Sequence, residues 1–171
     1  MDLIIYGLGR WFHIASGVLW IGLLWYFNFV QVPALKSAGA DGTAAGITKH
    51  VAPRALELFR WASLSTVFFG ALILGKQLPS ALMFTERAYY PIGIGAWLGL
   101  IMFINVWALI WPNQKKILNL YQYAQNPVSD AEKNKARRVA FLASRTNTML
   151  SIPMLFFMIA SGGIFRRAFF G

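Results

Sequence analysis

Arg10, His13, Asn28 and Gln31 lie within one long apolar stretch, from about Leu3 to Val32. An ionisable group in hydrocarbon is costly, on the order of 2.5 kcal/mol or more for Arg at a helix centre, so it faces a partner, a cavity or a cofactor. Gly9 stands four residues before His13 and Gly17 four after it, which puts all three on one helix face with room beside the imidazole. Arg10 precedes His13 by one turn. Two chemistries fit this spacing. An imidazole for iron, a glycine where a macrocycle needs space and a guanidinium where propionates emerge would suit the edge of a haem b, with His13 as metal ligand and Arg10 and Gly17 beside it in the cofactor site. Alternatively, His13 is hydrogen-bonded inside a bundle and the glycines admit a neighbouring helix. His50 lies too far along the chain to supply a second axial ligand, since a helix rises roughly 1.5 Å per residue. Matching depths brings Met102 and Asn105, and Met154 and Met158, towards His13 instead, although Met is also an ordinary packing residue.

The elements that position these groups follow from composition. With 57% hydrophobic and 13% charged residues in 171 positions, and a mean hydropathy of +0.52, the chain is far too apolar for an ordinary soluble domain. Four segments approach the roughly 20 apolar residues that span a hydrocarbon core: about 3–32, 58–80, 90–112 and 144–165. Four such helices leave no room for a second folded domain, so residues 1–171 are expected to form a single all-α integral membrane bundle of four transmembrane helices. The first span lacks a basic leader and a small-residue cleavage pattern, and is expected to remain in the mature protein. The absence of cysteine excludes disulfides, thiolate metal sites and covalent haem attachment through CxxCH.

The net charge of +10 follows the spans and does not suggest nucleic acid. Lys36, Lys49, Arg54, Lys115, Lys116, Lys133, Lys135, Arg137 and Arg138 fall in the connections after spans one and three, with Arg60 and Arg145 at the following helix starts. Lys76, Arg87, Arg166 and Arg167 lie on the other side. The positive-inside rule therefore puts 33–57 and 113–143 in the cytoplasm and both termini outside a bacterial inner membrane. The first connection opens with the flexible run Lys36 to Gly42, before a short helix approaching Pro53. In the second, Asn126-Pro127 breaks the chain and Ser129-Asp130-Ala131-Glu132 has the spacing of a capping box, so the fourth helix should begin near Asp130. With the third span running past Pro112 through Lys115, Leu118 and Tyr121, the result is a basic cytoplasmic helical hairpin, facing lipid headgroups or a protein partner.

Other constellations are structural on their face. Gly95 and Gly99 have the spacing for close helix approach. Glu57, three residues from both Arg54 and Arg60, suits a helix-start ion pair. The polar run Ser144-Arg145-Thr146-Asn147-Thr148, where the fourth helix enters the membrane, reads as an interfacial hydrogen-bonding patch, with a substrate or quinone site as the alternative. There is no paired-carboxylate site in the spans, no nucleophile with an obvious base and no phosphate loop.

Trp11-Phe12-His13, Gly17 to Gly22 and Trp25 to Val30 resemble the membrane domain of bacterial cytochrome c-linked urate hydroxylases, the urate oxidase N-terminal family. Val51 to Leu56, Phe59-Arg60-Trp61, Asn105-Val106-Trp107, Ile110 to Lys115 and Ala143 to Thr148 carry the resemblance across most of the chain. The first helix is more loosely similar to bacterial membrane protoporphyrinogen oxidases, where a comparable His is associated with haem. The urate hydroxylases carry a c-type cytochrome domain, and a chain without Cys would have to work with a separate one. Two functions remain. One is an accessory subunit of a larger redox or energy-converting membrane complex. The other is a haem b-binding redox module, with urate oxidation as the activity that the resemblance implies.

Overall fold

The computed structural model describes residues 3–122, 128–162 and 167. Helices account for nearly all of them, and no strand occurs among the described residues. In chain order they are α1 (Leu3–Trp25), α2 (Val32–Ala40), α3 (Ala44–Gly46), α4 (Ala52–Leu74), α5 (Leu78–Leu82), α6 (Tyr90–Ile104), α7 (Trp111–Leu118) and α8 (Asp130–Ala160). Wide π-helical turns at Tyr26–Gln31, Ile47–Val51 and Asn105–Ile110 join α1 to α2, α3 to α4 and α6 to α7. The joined helices Tyr6–Ala40, Ala44–Leu82 and Arg87–Leu118 are long and apolar enough to cross a membrane. The fourth long helix, α8, packs along α6 and α7, while α1 packs chiefly against α4.

Proline placement explains much of this segmentation. Pro33, Pro53 and Pro112 each follow a π turn, and Pro79 and Pro91 a 3-10 turn, so each missing N–H falls where the hydrogen-bond ladder already changes step. The first helix does not end near Val32, where the first span was expected to end. The helix runs on to Ala40 and turns at Gly42, whose φ of 74° is readily available only without a Cβ. The third helix passes Pro112 as expected but stops at Leu118. Asn119, at φ 48°, is left-handed, so Tyr121 stands on a short 3-10 turn rather than on the helix. At the start of α8 the capping box forms in full: Ser129 Oγ accepts from Glu132 N–H and Glu132 Oε2 accepts from Ser129 N–H. The Asn126-Pro127 break, Arg166 and residues 163–165 of the expected fourth span lie outside the described residues.

The core is a column of Trp20, Leu24, Phe27, Leu56, Phe59, Met102, Val106, Ile110 and Met154, drawn from all four long helices. Outside it, large apolar side chains such as Trp11, Val18, Phe68 and Met149 are exposed, the pattern of a surface solvated by lipid. The α8 helix turns Ala136, Ala140 and Ala143 inward, so its backbone lies close to the neighbouring helices. Gly95 serves the same contact from α6, where a Cβ would stand 3.3 Å from Met158 N. Gly99, although buried, has nothing within 4 Å of where its Cβ would be and is not a point of close approach.

Candidate functional site

His13 is held by α4. Its Nδ1 lies 2.8 Å from the carbonyl oxygen of Thr66, which can only accept, so Nδ1 carries the proton and a neutral ring keeps its lone pair on Nε2. Gly70 provides the space: a Cβ there would stand 3.0 Å from His13 Cε1 and 3.1 Å from Nδ1. The other small residues of the face also meet α4. A Cβ on Gly9 would approach Ile73 Cγ2 at 3.1 Å, and one on Gly17 would approach Thr66 Cγ2 at 3.7 Å. The glycine face thus admits a helix, one of the two roles its spacing allowed. Phe12 stacks on Phe69 beside the imidazole, at 4.9 Å between centroids, and Arg10 is exposed one turn away. Met102 and Met154 lie in the apolar core and Met158 lies against Gly95. His50 is exposed at the opposite, basic end, where its carbonyl accepts from Arg54 Nη1 at 2.6 Å.

The polar run on α8 is the bundle's internal seam. Asn28 Nδ2 donates to Ser144 Oγ at 2.8 Å, and Trp25 Nε1 to Ser151 Oγ at 3.0 Å, both joining α8 to the first helix. Asn105 Nδ2 donates to Asn147 Oδ1 at 2.9 Å, and Asn147 Nδ2 to the Met102 carbonyl at 2.9 Å, joining α8 to the third. Arg145 and Thr146, on the same run, point outward and are exposed. Two side-chain bonds, one of them within the first helix, sit beside the places where an α-helix widens into a π turn. There the ladder changes step, and the carbonyls at the entrances, Leu24 O and Met102 O, receive side-chain donors from Asn28 and Asn147. In hydrocarbon no water can do this, which explains why asparagine is placed there.

A second cluster closes the basic end. The Arg60 guanidinium lies 3.9 Å from the Trp111 ring centroid, 4.8 Å from Trp61 and 5.4 Å from Trp107, an aromatic cage for a cation. Arg60 also forms an ion pair with Glu57. The Glu57 carboxylate accepts further bonds from Trp61 Nε1 and the Tyr121 phenol, each at 2.8 Å. Donation to that carboxylate raises the Tyr121 pKa above its ordinary value, with burial adding a smaller push in the same direction. Pro53, Arg54, Glu57, Leu120 and Tyr121 line a shallow cavity of about 250 Å³ beneath it. The expected helix-start pairing of Glu57 is present with Arg60, while Arg54 turns to the His50 carbonyl.

A profile of the family described as urate oxidase N-terminal matches residues 55–163, more than half of the chain. The chain belongs to the urate oxidase N-terminal family. No curated protein and no solved structure gives a significant match. The family segment contains the Arg60 cage and the whole α8 seam, and it begins after the first helix, so Arg10, His13 and Gly17 lie outside it. No cluster of three metal-ligating side chains occurs among the described residues. The gathering of Trp61, Trp107 and Trp111 on Arg60 was not read from the sequence. The only hint was that Trp107 and Trp111 share a helix face while Arg60 and Trp61 begin the neighbouring span. Buried Trp20 Nε1 and Arg60 Nε have no partner, which no sequence pattern announces.

Proposed function

We propose that this protein is a small accessory subunit of a larger redox or energy-converting membrane complex, built on a urate hydroxylase-like membrane domain. The observation that carries this reading is the α8 seam. Its polar groups bond to one another and to helix-entrance carbonyls rather than converging on a cavity, so they serve to hold the bundle in one shape. In this reading α8 is the fourth crossing helix, the basic end faces the cytoplasm by the positive-inside rule, and both termini lie outside the inner membrane. The exposed aromatic surface of α1 supports a role beside other membrane subunits. Purification in mild detergent tests it: co-elution with a redox complex is expected, and a monodisperse free monomer from native membranes would refute it.

A second reading is favoured by the imidazole itself. The Nδ1–Thr66 bond leaves Nε2 as the free ring nitrogen, the arrangement in which a backbone carbonyl orients a metal-ligating His. His13 would hold the iron of a haem b, and Arg10, one turn away, would pair with a propionate. The glycine face itself is packed against α4. A haem there would supply one-electron transfer to a separate c-type cytochrome, in keeping with urate oxidation. A b-type spectrum with and without dithionite, lost in His13→Ala, is the expected result. A haem-free protein refutes this reading and leaves the first intact.

A further inference from the structure

The exposed face of α8 has two halves with different chemistry. Lys135, Arg138, Leu142, Arg145, Met149, Ile152 and Phe156 recur at three- and four-residue steps and are all exposed, opposite the buried Ala136, Ala140, Ala143 and Asn147. From Leu142 downward the stripe is apolar except for Arg145, with Met149 at 73% and Ile152 at 65% exposure. Above Leu142 it is basic. Arg145 stands at the border, and its guanidinium lies 5.2 Å from the Phe141 ring centroid, so the side chain folds back one turn towards Arg138. No acidic residue follows Glu132 on α8, and Glu132 is engaged in the helix cap.

We infer that this face is a binding site for an anionic phospholipid, its phosphodiester gripped between Arg138 and Arg145 and its acyl chains laid along Leu142, Met149 and Ile152. Guanidinium forks match phosphate oxygens, and a bond between two ions strengthens each contact. The continuity of the cationic pair with an apolar stripe selects a lipid. A soluble polyanion would use the charges and leave the stripe below them uncovered. Arg145 packed on Phe141 is already oriented, so less side-chain freedom is lost when the headgroup binds.

The inference rests on the bilayer placement of α8 proposed above, which can be tested separately because the chain lacks cysteine. Met149→Cys in membranes should resist a membrane-impermeant thiol reagent. Labelling there would refute the placement. For the lipid, the full chain is placed in phosphatidylcholine nanodiscs doped with a minority of phosphatidylglycerol, and retained lipid is read by native mass spectrometry. The intact protein is expected to enrich phosphatidylglycerol, and Arg138→Gln/Arg145→Gln to lose about tenfold or more of that preference, given two basic side chains at an anionic surface. Lys36→Gln/Lys49→Gln removes the same charge elsewhere at the basic end and should keep the preference. Equal loss in both double variants would overturn the site, as would an unchanged preference in the arginine variant. Competition by inorganic phosphate alone would show a free-anion site and overturn the lipid assignment.

Discussion

Replacing Asn147 by Ala would cut the seam at its centre. Its side chain is fully buried, accepts from Asn105 Nδ2 and donates to Met102 O, both at 2.9 Å. Hydrogen bonds between membrane helices average about 0.6 kcal/mol each, so the two bonds alone account for roughly 1.2 kcal/mol. Stranding the half-buried Asn105 amide adds about 1–3 kcal/mol, because a donor held out of water without a partner keeps its desolvation penalty. The expected loss is therefore about 2–4 kcal/mol, measured by reversible unfolding in mixed detergent micelles. Asn105→Leu in the same background should recover part of it, since the stranded amide is then removed. A loss below about 0.5 kcal/mol in the single variant, within the range of an ordinary surface substitution, would refute the reasoning. So would strict additivity in the double-mutant cycle, because residues in one hydrogen-bond network couple.

Gly93→Ala would drive a Cβ to 2.2 Å from the Ala81 carbonyl oxygen, and should destabilise by about 1–3 kcal/mol through overpacking, seen as a lower thermal midpoint. Gly95→Ala should cost more than Gly99→Ala in the same assay, because only Gly95 faces the α8 backbone closely; equal effects would contradict the packing described. Gly70→Ala should displace the His13 ring from Thr66, detectable as altered imidazole resonances, whereas unchanged resonances would show that the contact is not tight. Tyr121 has its pKa raised in the folded state, so its bond to Glu57 contributes below the ordinary tyrosine value and is lost only as pH rises through the raised one. The phenolate absorbance that disappears in Tyr121→Phe should accordingly appear later than that of free tyrosine, and earlier appearance would count against the Glu57 contact.

Some of these arrangements could be read from residues alone and others could not. Apolar length disclosed the three long membrane-capable helices, and Ser129 with Glu132 disclosed the start of α8, because both signals are local and depend on the chain's own backbone groups. The polarity of Ser144 to Thr148 marked the seam, yet not its partners, since Asn28 and Asn105 are brought to it only when three helices associate. The first span was placed at about 3–32, whereas the helix runs on to Ala40. Pro33 interrupts the hydrogen-bond ladder without ending the helix, because the π turn ahead of it absorbs the change of step and α2 continues the first helix. The Arg60 cage needed the third helix docked on the second. Its rings are ordinary apolar residues in the sequence and become a cation site only in space.

The π turns at Tyr26–Gln31 and Asn105–Ile110 also bear on how this fold can vary. A π turn accommodates one residue more than the α-helix around it, and each residue of an α-helix advances about 100°, so everything beyond the turn is rotated relative to an uninterrupted helix. Each is thus equivalent to a single inserted residue whose displacement has been absorbed. One residue deleted elsewhere in these helices would swing all later side chains off their neighbours. A deletion inside the turn restores a plain α-helix and gives up only the extra residue, so length variation among related chains should concentrate at these two places.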